Sequence, residues 1–378
     1  VVSRLGDGAG RGFAVLTVFL ILIAFLPWGA WLGAARPAEV TAYADTVWDW
    51  IRWLAIVVPF AVLLAHLGGR RVDALLERLL SRIADVSDRV LAFTLAALVA
   101  AVTLVLSGVL FSHNPHLVDS IAQLFQARIF EKGGLTAPAP DEMEFFGASH
   151  LVQHNGRWFS QYPPGHPALL TLGLFIGVPW IVNPLFSAGT LLLVYAIARR
   201  LFGAGSAKLA AMLYLFSPFA LFMSASYMNH VTTGFFLALA LYAALCTADG
   251  GGGVGWPLTV GLALGVAAMI RPLESAAWAA VLGLWMLLRR GWRAALIAGG
   301  ACLVGVAVLL TYNGLTTGHP LRFGYTLLWG PGHGLGFHTD PWGEPFTAVK
   351  SFANTALDLQ RLNVFFFGWP FPSLIFVL

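Results

Sequence analysis

Charge is what this chain has least of. Asp, Glu, Lys and Arg make up 11% of the 378 residues, hydrophobic residues make up 58%, and the mean hydropathy is +0.77. A soluble domain carries roughly twice that charge. The composition therefore excludes a soluble globular domain and indicates a polytopic membrane protein. Cysteine is equally scarce. Cys246 and Cys302 are the two present, both inside apolar runs, which excludes a disulfide framework and a thiolate metal centre. The net charge of +4 is small and gathered at a few helix ends, so it carries topology rather than a nucleic-acid footprint. No internal repeat of the transporter kind stands out. No Gly-Lys-Ser/Thr ends the one glycine-rich run, so it is not a nucleotide loop.

What the chain has is apolar runs, with 14 Trp and 28 Phe to furnish interfacial belts and lipid-facing surfaces. Runs long enough to span a bilayer, some only just, fall at 13–32, 51–68, 91–111, 183–199, 207–224, 229–248, 256–270, 275–289, 293–311 and 363–378. The first follows Arg4 and Arg11 and is long for a signal peptide, so it reads as an uncleaved anchor. The last ends with no polar tail, as though the chain continues. The expected fold is thus all-α and polytopic, with about ten transmembrane helices and amphipathic surface helices. Residues 1–90 form an N-terminal hairpin with an amphipathic connector, and residues 91–378 the main module.

Arginine fixes the direction. Arg70, Arg71, Arg78, Arg82 and Arg89 lie in the connector, Arg199 and Arg200 end one run, and Arg289, Arg290 and Arg293 end another. The positive-inside rule places all three clusters in the cytoplasm. The loops 112–166 and 312–362, the turn 224–230 and the turn 271–274 then converge on the outer face. Residues 167–181, interrupted by Gly177 and Pro179, are expected to lie along or dip into that face before one true span.

The loop 112–166 holds most of the reactive side chains. Asp119 opens an amphipathic stretch in which Leu117, Ile121, Leu124, Phe125 and Ile129 recur at helical spacing, predicting a helix flat on the membrane with its apolar face down. Asp119 is then either a dipole-complementing residue of the first turn or a functional carboxylate. Asp141, Glu142 and Glu144 form an acidic cluster. Paired carboxylates can divide acid and base roles, though on the residues alone a solvated loop is the preferred account. His150 and His154, four apart, would face one ligand on a helix, but a metal needs a third partner. Tyr162-Pro163-Pro164 fixes an extended lead into the next helix. Arg271, beside Pro272 and Glu274 at a span end, either snorkels, pairs with Glu274 or binds an anion bidentately. Asn229 and His230 end a span on the same face. Tyr325, Trp329, His333 and His338 bring rings suited to stacking on a sugar or to forming a lid.

These residues, in this order, resemble the GT-C superfamily of integral membrane glycosyltransferases. The likeness is to the branch of protein O-mannosyltransferases and lipid A aminoarabinose transferases. Asp119 near the start of a flat helix, Tyr162-Pro163-Pro164, residues 192–202 (LLVYAIARRLF), Ser217-Pro218 ahead of Ser224-Ala225-Ser226, and residues 261–272 (GLALGVAAMIRP) carry it, over roughly residues 91–330. The resemblance implies an inverting transfer of a sugar from a polyprenyl-phosphate donor to a lipid, glycan or protein hydroxyl, at the outer face of the cytoplasmic membrane. It assigns Asp119 as general base. The family's carboxylate pair is replaced by Asp119-Ser120, and Tyr162 stands where the aminoarabinose transferases carry a lysine. Donor phosphate and lipid contact then falls to Arg271, His166, Tyr162 and His230, and the substrate loops contribute Glu142, Glu144, His333 and His338. No metal or cofactor is assigned, and the acidic cluster with His113, His116, His150 and His154 leaves a divalent ion open. A lipid flippase or transporter, and a non-catalytic relative that binds polyprenyl lipid, are the competing readings. The apolar span centres speak against transport.

Overall fold

The computed structural model describes residues 18–19, 22–23, 26, 28–32, 37–250, 253–367 and 372–373. Half of the expected first span, 13–32, and most of the expected last span, 363–378, lie outside these residues.

The fold is mostly helical. In chain order the longer elements are α1 (Pro37–Asp85), α2 (Asp88–Val109), α3 (Val118–Glu131), the strands β1 (Ala137–Pro138), β2 (Leu151–His154) and β3 (Arg157–Ser160), α4 (Gly165–Phe175), α5 (Val182–Phe202), α6 (Ala204–Leu215), α7 (Pro218–Ala225), α8 (His230–Ala248), α9 (Gly255–Ile270), α10 (Pro272–Arg290), α11 (Trp292–Thr317), α12 (Gly324–Trp329) and α13 (Ala348–Phe365). Contacts divide the chain into two compact units. The first takes the chain up to Leu91, Phe216–Phe219 and the chain from Gly336; the second takes Ala92–Leu215 and Ala220–Leu335.

Within the first unit, α1 runs 49 residues without interruption, with Pro59 inside it. The expected connector is a continuation of this helix rather than a separate element. α13 packs on the helical turn Trp28–Trp31, where Trp28 meets Phe352 edge-on and Gln360 Nε2 donates to the Leu26 carbonyl at 2.8 Å.

Among the described residues, five helical stretches are long and apolar enough to cross a bilayer: Val40–Gly69, Asp88–Val109, Pro179–Phe202, His230–Ala248 and Trp292–Thr317. A sixth is the pair α6 and α7, bent by 57° at Phe216-Ser217. α9 covers the expected span 256–270 but is only 16 residues long, and α10 carries Glu274, Arg289 and Arg290 within its 19. The architecture is that of an integral, all-α membrane protein, but the count of ten spans is not confirmed. The arginines end helices as expected. α5 closes on Arg199 and Arg200 and α10 on Arg289 and Arg290, opposite the C-terminal dipole, and Gly203 and Gly291 turn the chain at positive φ.

The core of the second unit is built from small residues. Ala240, Ala243 and Ala244 of α8 meet Val260, Ala263 and Leu264 of α9, Leu282 and Met286 of α10, and Ala298 of α11. Gly261 lies against the Ala298 carbonyl and Gly305 against the Gly265 backbone, closer than any side chain would permit. Helices in lipid gain nothing by burying apolar surface from each other, so such close backbone approach supplies the packing.

On α3, Leu117, Val118 and Ile121 are exposed, Leu124 and Phe125 are half-buried, and the inward face carries Ser120, Gln123 and Gln126. Ala127 and Thr171 join α3 to α4, and Leu170, Leu174, Val182 and Tyr227 complete that cluster. β2 and β3 form a hairpin, with Leu151 opposite Ser160 and His154 opposite Arg157. Asn155 and Gly156 turn it at φ 51° and 72°, the pattern of a two-residue hairpin loop. β1 pairs with the other edge of β3. After α4 the chain folds back tightly, because Gly173 has no Cβ to hold off Pro179.

Candidate active site

Asp119 sits in the first turn of α3, half-buried. The Tyr162 hydroxyl donates a hydrogen bond to its Oδ1. Burial, and then the bond to Asp119, push the Tyr162 hydroxyl far above the ordinary phenol range, so it remains a donor at any physiological pH. The chain on either side of Tyr162 is pinned. Gln161 joins His150 Nδ1 through Nε2 at 2.5 Å and accepts from Trp329 Nε1 through Oε1 at 2.8 Å. Gly324 rests on the Gln161 backbone, where a Cβ would come within 2.7 Å of Cα. Tyr162 meets Tyr325 edge-on at 5.5 Å, and His150 lies 5.9 Å away.

A second polar group is built at the junction of α9 and α10. Arg271 occupies an extended conformation between the helices, and Pro272 starts α10. Its Nε donates to Glu274 Oε1 at 2.5 Å and its Nη1 to His230 Nε2 at 2.8 Å, with Asn229 Oδ1 at 3.5 Å. A guanidinium can only donate, so His230 Nε2 accepts and its proton is on Nδ1. Arg271 and Glu274 remain about a third exposed, at 32% and 40%. Gly165 brings the two groups together, because it packs on the Met269 backbone and the Ile270 side chain with no room for a Cβ. Tyr325 registers the result. Burial raises its hydroxyl pKa, Arg271 opposes the rise, and Glu274 and Asp119 add to it, so all three charges act on one phenol.

The remaining expected residues are distributed differently. His166 is fully buried in the first turn of α4. Its Nε2 donates to the Tyr227 carbonyl at 3.0 Å, and its Nδ1 faces Thr232 Oγ1 at 3.0 Å. Burial lowers its pKa to about 4, so it is a neutral brace between α4 and α8 with both nitrogens engaged. Glu142 and Glu144 are exposed at the turn Met143–Phe146. His333 is exposed beside Tyr325 and Trp329, at ring distances of 5.8 and 6.4 Å; burial and His150 lower its pKa. His338 belongs to the first unit, where its Nδ1 meets the Thr339 carbonyl at 3.1 Å. His150 precedes β2 and His154 ends it, so the two do not share a helix face. His113 stacks on Trp180 and His116 bonds to the Phe111 carbonyl. Among the described residues no three His, Cys, Asp or Glu side chains converge as metal ligands would.

An apolar groove of about 790 Å³ lies between α4 and α11, lined by Phe130, Pro164, Leu172, Val308, Tyr312 and Leu315 among others. Its lining begins two residues from Tyr162. The sequence did not show which helices would wall such a groove. The signal was present in α4 and α11, each of which carries more apolar residues than its helical neighbours cover.

Residues 162–313 match the family model described as dolichyl-phosphate-mannose-protein mannosyltransferase. The match starts at Tyr162 and contains His166, His230 and Arg271, while Asp119 precedes it. It supports a glycosyltransferase of the mannosyltransferase kind. No curated protein and no solved structure matches the chain.

Proposed function

We propose that the protein transfers a sugar from a polyprenyl-phosphate donor to an acceptor hydroxyl at the outer face of the cytoplasmic membrane. The observation that carries this reading is that Tyr162, which holds Asp119, and Gly165, which packs on Met269 just ahead of Arg271, lie three residues apart beside an apolar groove. The groove suits the donor's hydrocarbon. Its lining on α11 runs from Val304 to Leu315, about 16 Å at helical rise, and includes little polar surface. Arg271, supported by His230 and Glu274, receives the phosphate and offsets the charge that grows on it as it leaves. Asp119 takes the proton from the acceptor hydroxyl. The acceptor oxygen bonds to the anomeric carbon as the bond to the phosphate oxygen breaks, and one displacement inverts the configuration. A site on the outer face has no access to nucleotide sugars, which makes a lipid-linked donor the chemically suited one. Mass spectrometry of envelope glycans and glycoproteins from cells lacking the gene tests the reading. Loss of one sugar substituent, restored by the wild-type gene, is expected. An unaltered glycan profile would contradict it.

A further inference from the structure

α3 is tied to the segment that follows it at two points on one face. Gln126 accepts the Ser160 N–H at 3.0 Å through Oε1 and donates to the Leu135 carbonyl at 2.9 Å through Nε2. Seven residues earlier, two turns and about 10 Å along the axis, Asp119 accepts from Tyr162. The two residues from Ser160 to Tyr162 bridge the interval, and the Tyr162 N–H donates back to Ser160 Oγ at 3.2 Å. Pro163 and Pro164 restrict the backbone beyond, and Gln161 is held from both sides by His150 and Trp329. The phenol is therefore delivered to the carboxylate by a closed frame that begins and ends on the same helix. Packing alone does not account for it: the ring is already seated among Ala122, Leu151 and Tyr325, and a phenylalanine would fill that seat.

We propose that Tyr162 is the positioning residue for Asp119, fixing the carboxylate plane through Oδ1 so that Oδ2 is presented to the acceptor hydroxyl. Among the described residues no donor other than Tyr162 bonds to Asp119. A donor to a carboxylate favours its ionised form, and a phenol held neutral cannot exchange roles with it. The proposal rests on the proposed function for its catalytic meaning but not for its geometry. The titratable and charged groups around the pair are Tyr325 on α12, His150 ahead of β2, His230 on α8, and Arg271 and Glu274 at the α9–α10 junction. Tyr162→Phe leaves all of them in place.

Two measurements on the purified full-length protein in lipid test the assignment. The first is the infrared difference spectrum of the Asp119 carboxylate, identified in each background by the difference from Asp119→Asn. Tyr162→Phe is expected to shift its carboxylate stretching bands, because the hydrogen bond to one oxygen is lost. Unshifted bands overturn the proposal, whether or not the protein turns over sugar. The second is transfer from polyprenyl-phosphate mannose in the same preparation. Tyr162→Phe should lower kcat roughly 10- to 100-fold, the range of one hydrogen bond to a charged group, with KM nearly unchanged. A variant with normal kcat overturns the proposal. A wild-type protein with no transferase activity of any kind would sink the functional reading, while the infrared bands still decide the role of Tyr162.

Discussion

Asp119, Arg271 and His166 looked alike in the sequence, as polar residues on one face of an oily chain, and the structure separates them by what their atoms can still do. Arg271 keeps a third of its side chain open and is steadied by Glu274 and His230. Arg271→Lys is expected to raise the donor KM and lower kcat, because an ammonium cannot hold Glu274 and grip a phosphate as a planar fork does; steady-state kinetics with the reconstituted protein checks this. His166 has nothing left to offer a ligand. Its pKa falls from 6.5 unfolded to about 4 folded, so its contribution to stability is complete above pH 6.5 and is lost as pH falls toward 4. His166→Gln should lower the thermal midpoint at pH 7.5 and flatten its decline on acidification. The sequence showed that these residues share a region. It could not show which was buried, because that depends on Thr232 of α8 and on the Tyr227 carbonyl in the turn before it, more than sixty residues away. Gly165 was likewise unreadable. Its meaning lies in the Met269 backbone and the Ile270 side chain. Gly165→Ala should cost roughly 1–3 kcal/mol of stability, and activity more than stability.

At the scale of elements, the helix periods were legible and the partners of their buried faces were not. Leu117, Ile121 and Leu124 predicted α3 to within a residue of its start. The same stripe suggested a membrane-facing side, and Leu117 and Ile121 are exposed; what it did not show is that Ser120, Gln123 and Gln126 point inward, against a polar frame built from β3. The Asn155-Gly156 turn was a hairpin signal hidden behind the two histidines that precede it. The groove between α4 and α11 makes a prediction at this scale. Ala307→Trp fills it from one wall and Ala168→Trp from the other. Both should raise the KM for a lipid-linked donor, and less so for a donor with a shortened chain, as kinetics across chain lengths would show. Gly305→Val should instead part α9 from α11 and lower the thermal midpoint in detergent, since Gly305 lies on the Gly265 backbone.

For the whole molecule, scarcity of charge was enough to establish an integral membrane protein, and arginine placement to propose its direction. The number of spans was not legible. Residues 207–224 read as one run, but Ser217-Pro218 breaks it by 57°, and hydropathy alone does not register a bend. The stretch 312–362 read as one loop, but residues up to Leu335 fold with the second unit and those from Gly336 with the first. Topology is measurable. Single cysteines at Asn155 and at Trp292, in a background without Cys246 and Cys302, should react with an impermeant maleimide from opposite sides of sealed spheroplasts, Asn155 from outside. Labelling of both from one side would contradict the arginine-derived orientation.

The central claim is that the carboxylate of Asp119 performs the transfer, and Asp119→Asn tests it most directly. The substitution keeps the shape of the side chain and leaves an oxygen to accept from Tyr162, while removing the basic oxygen pair. In cells lacking the gene, the variant expressed at wild-type level and with an unchanged thermal midpoint is expected to restore none of the missing sugar. Full restoration by Asp119→Asn would contradict the account.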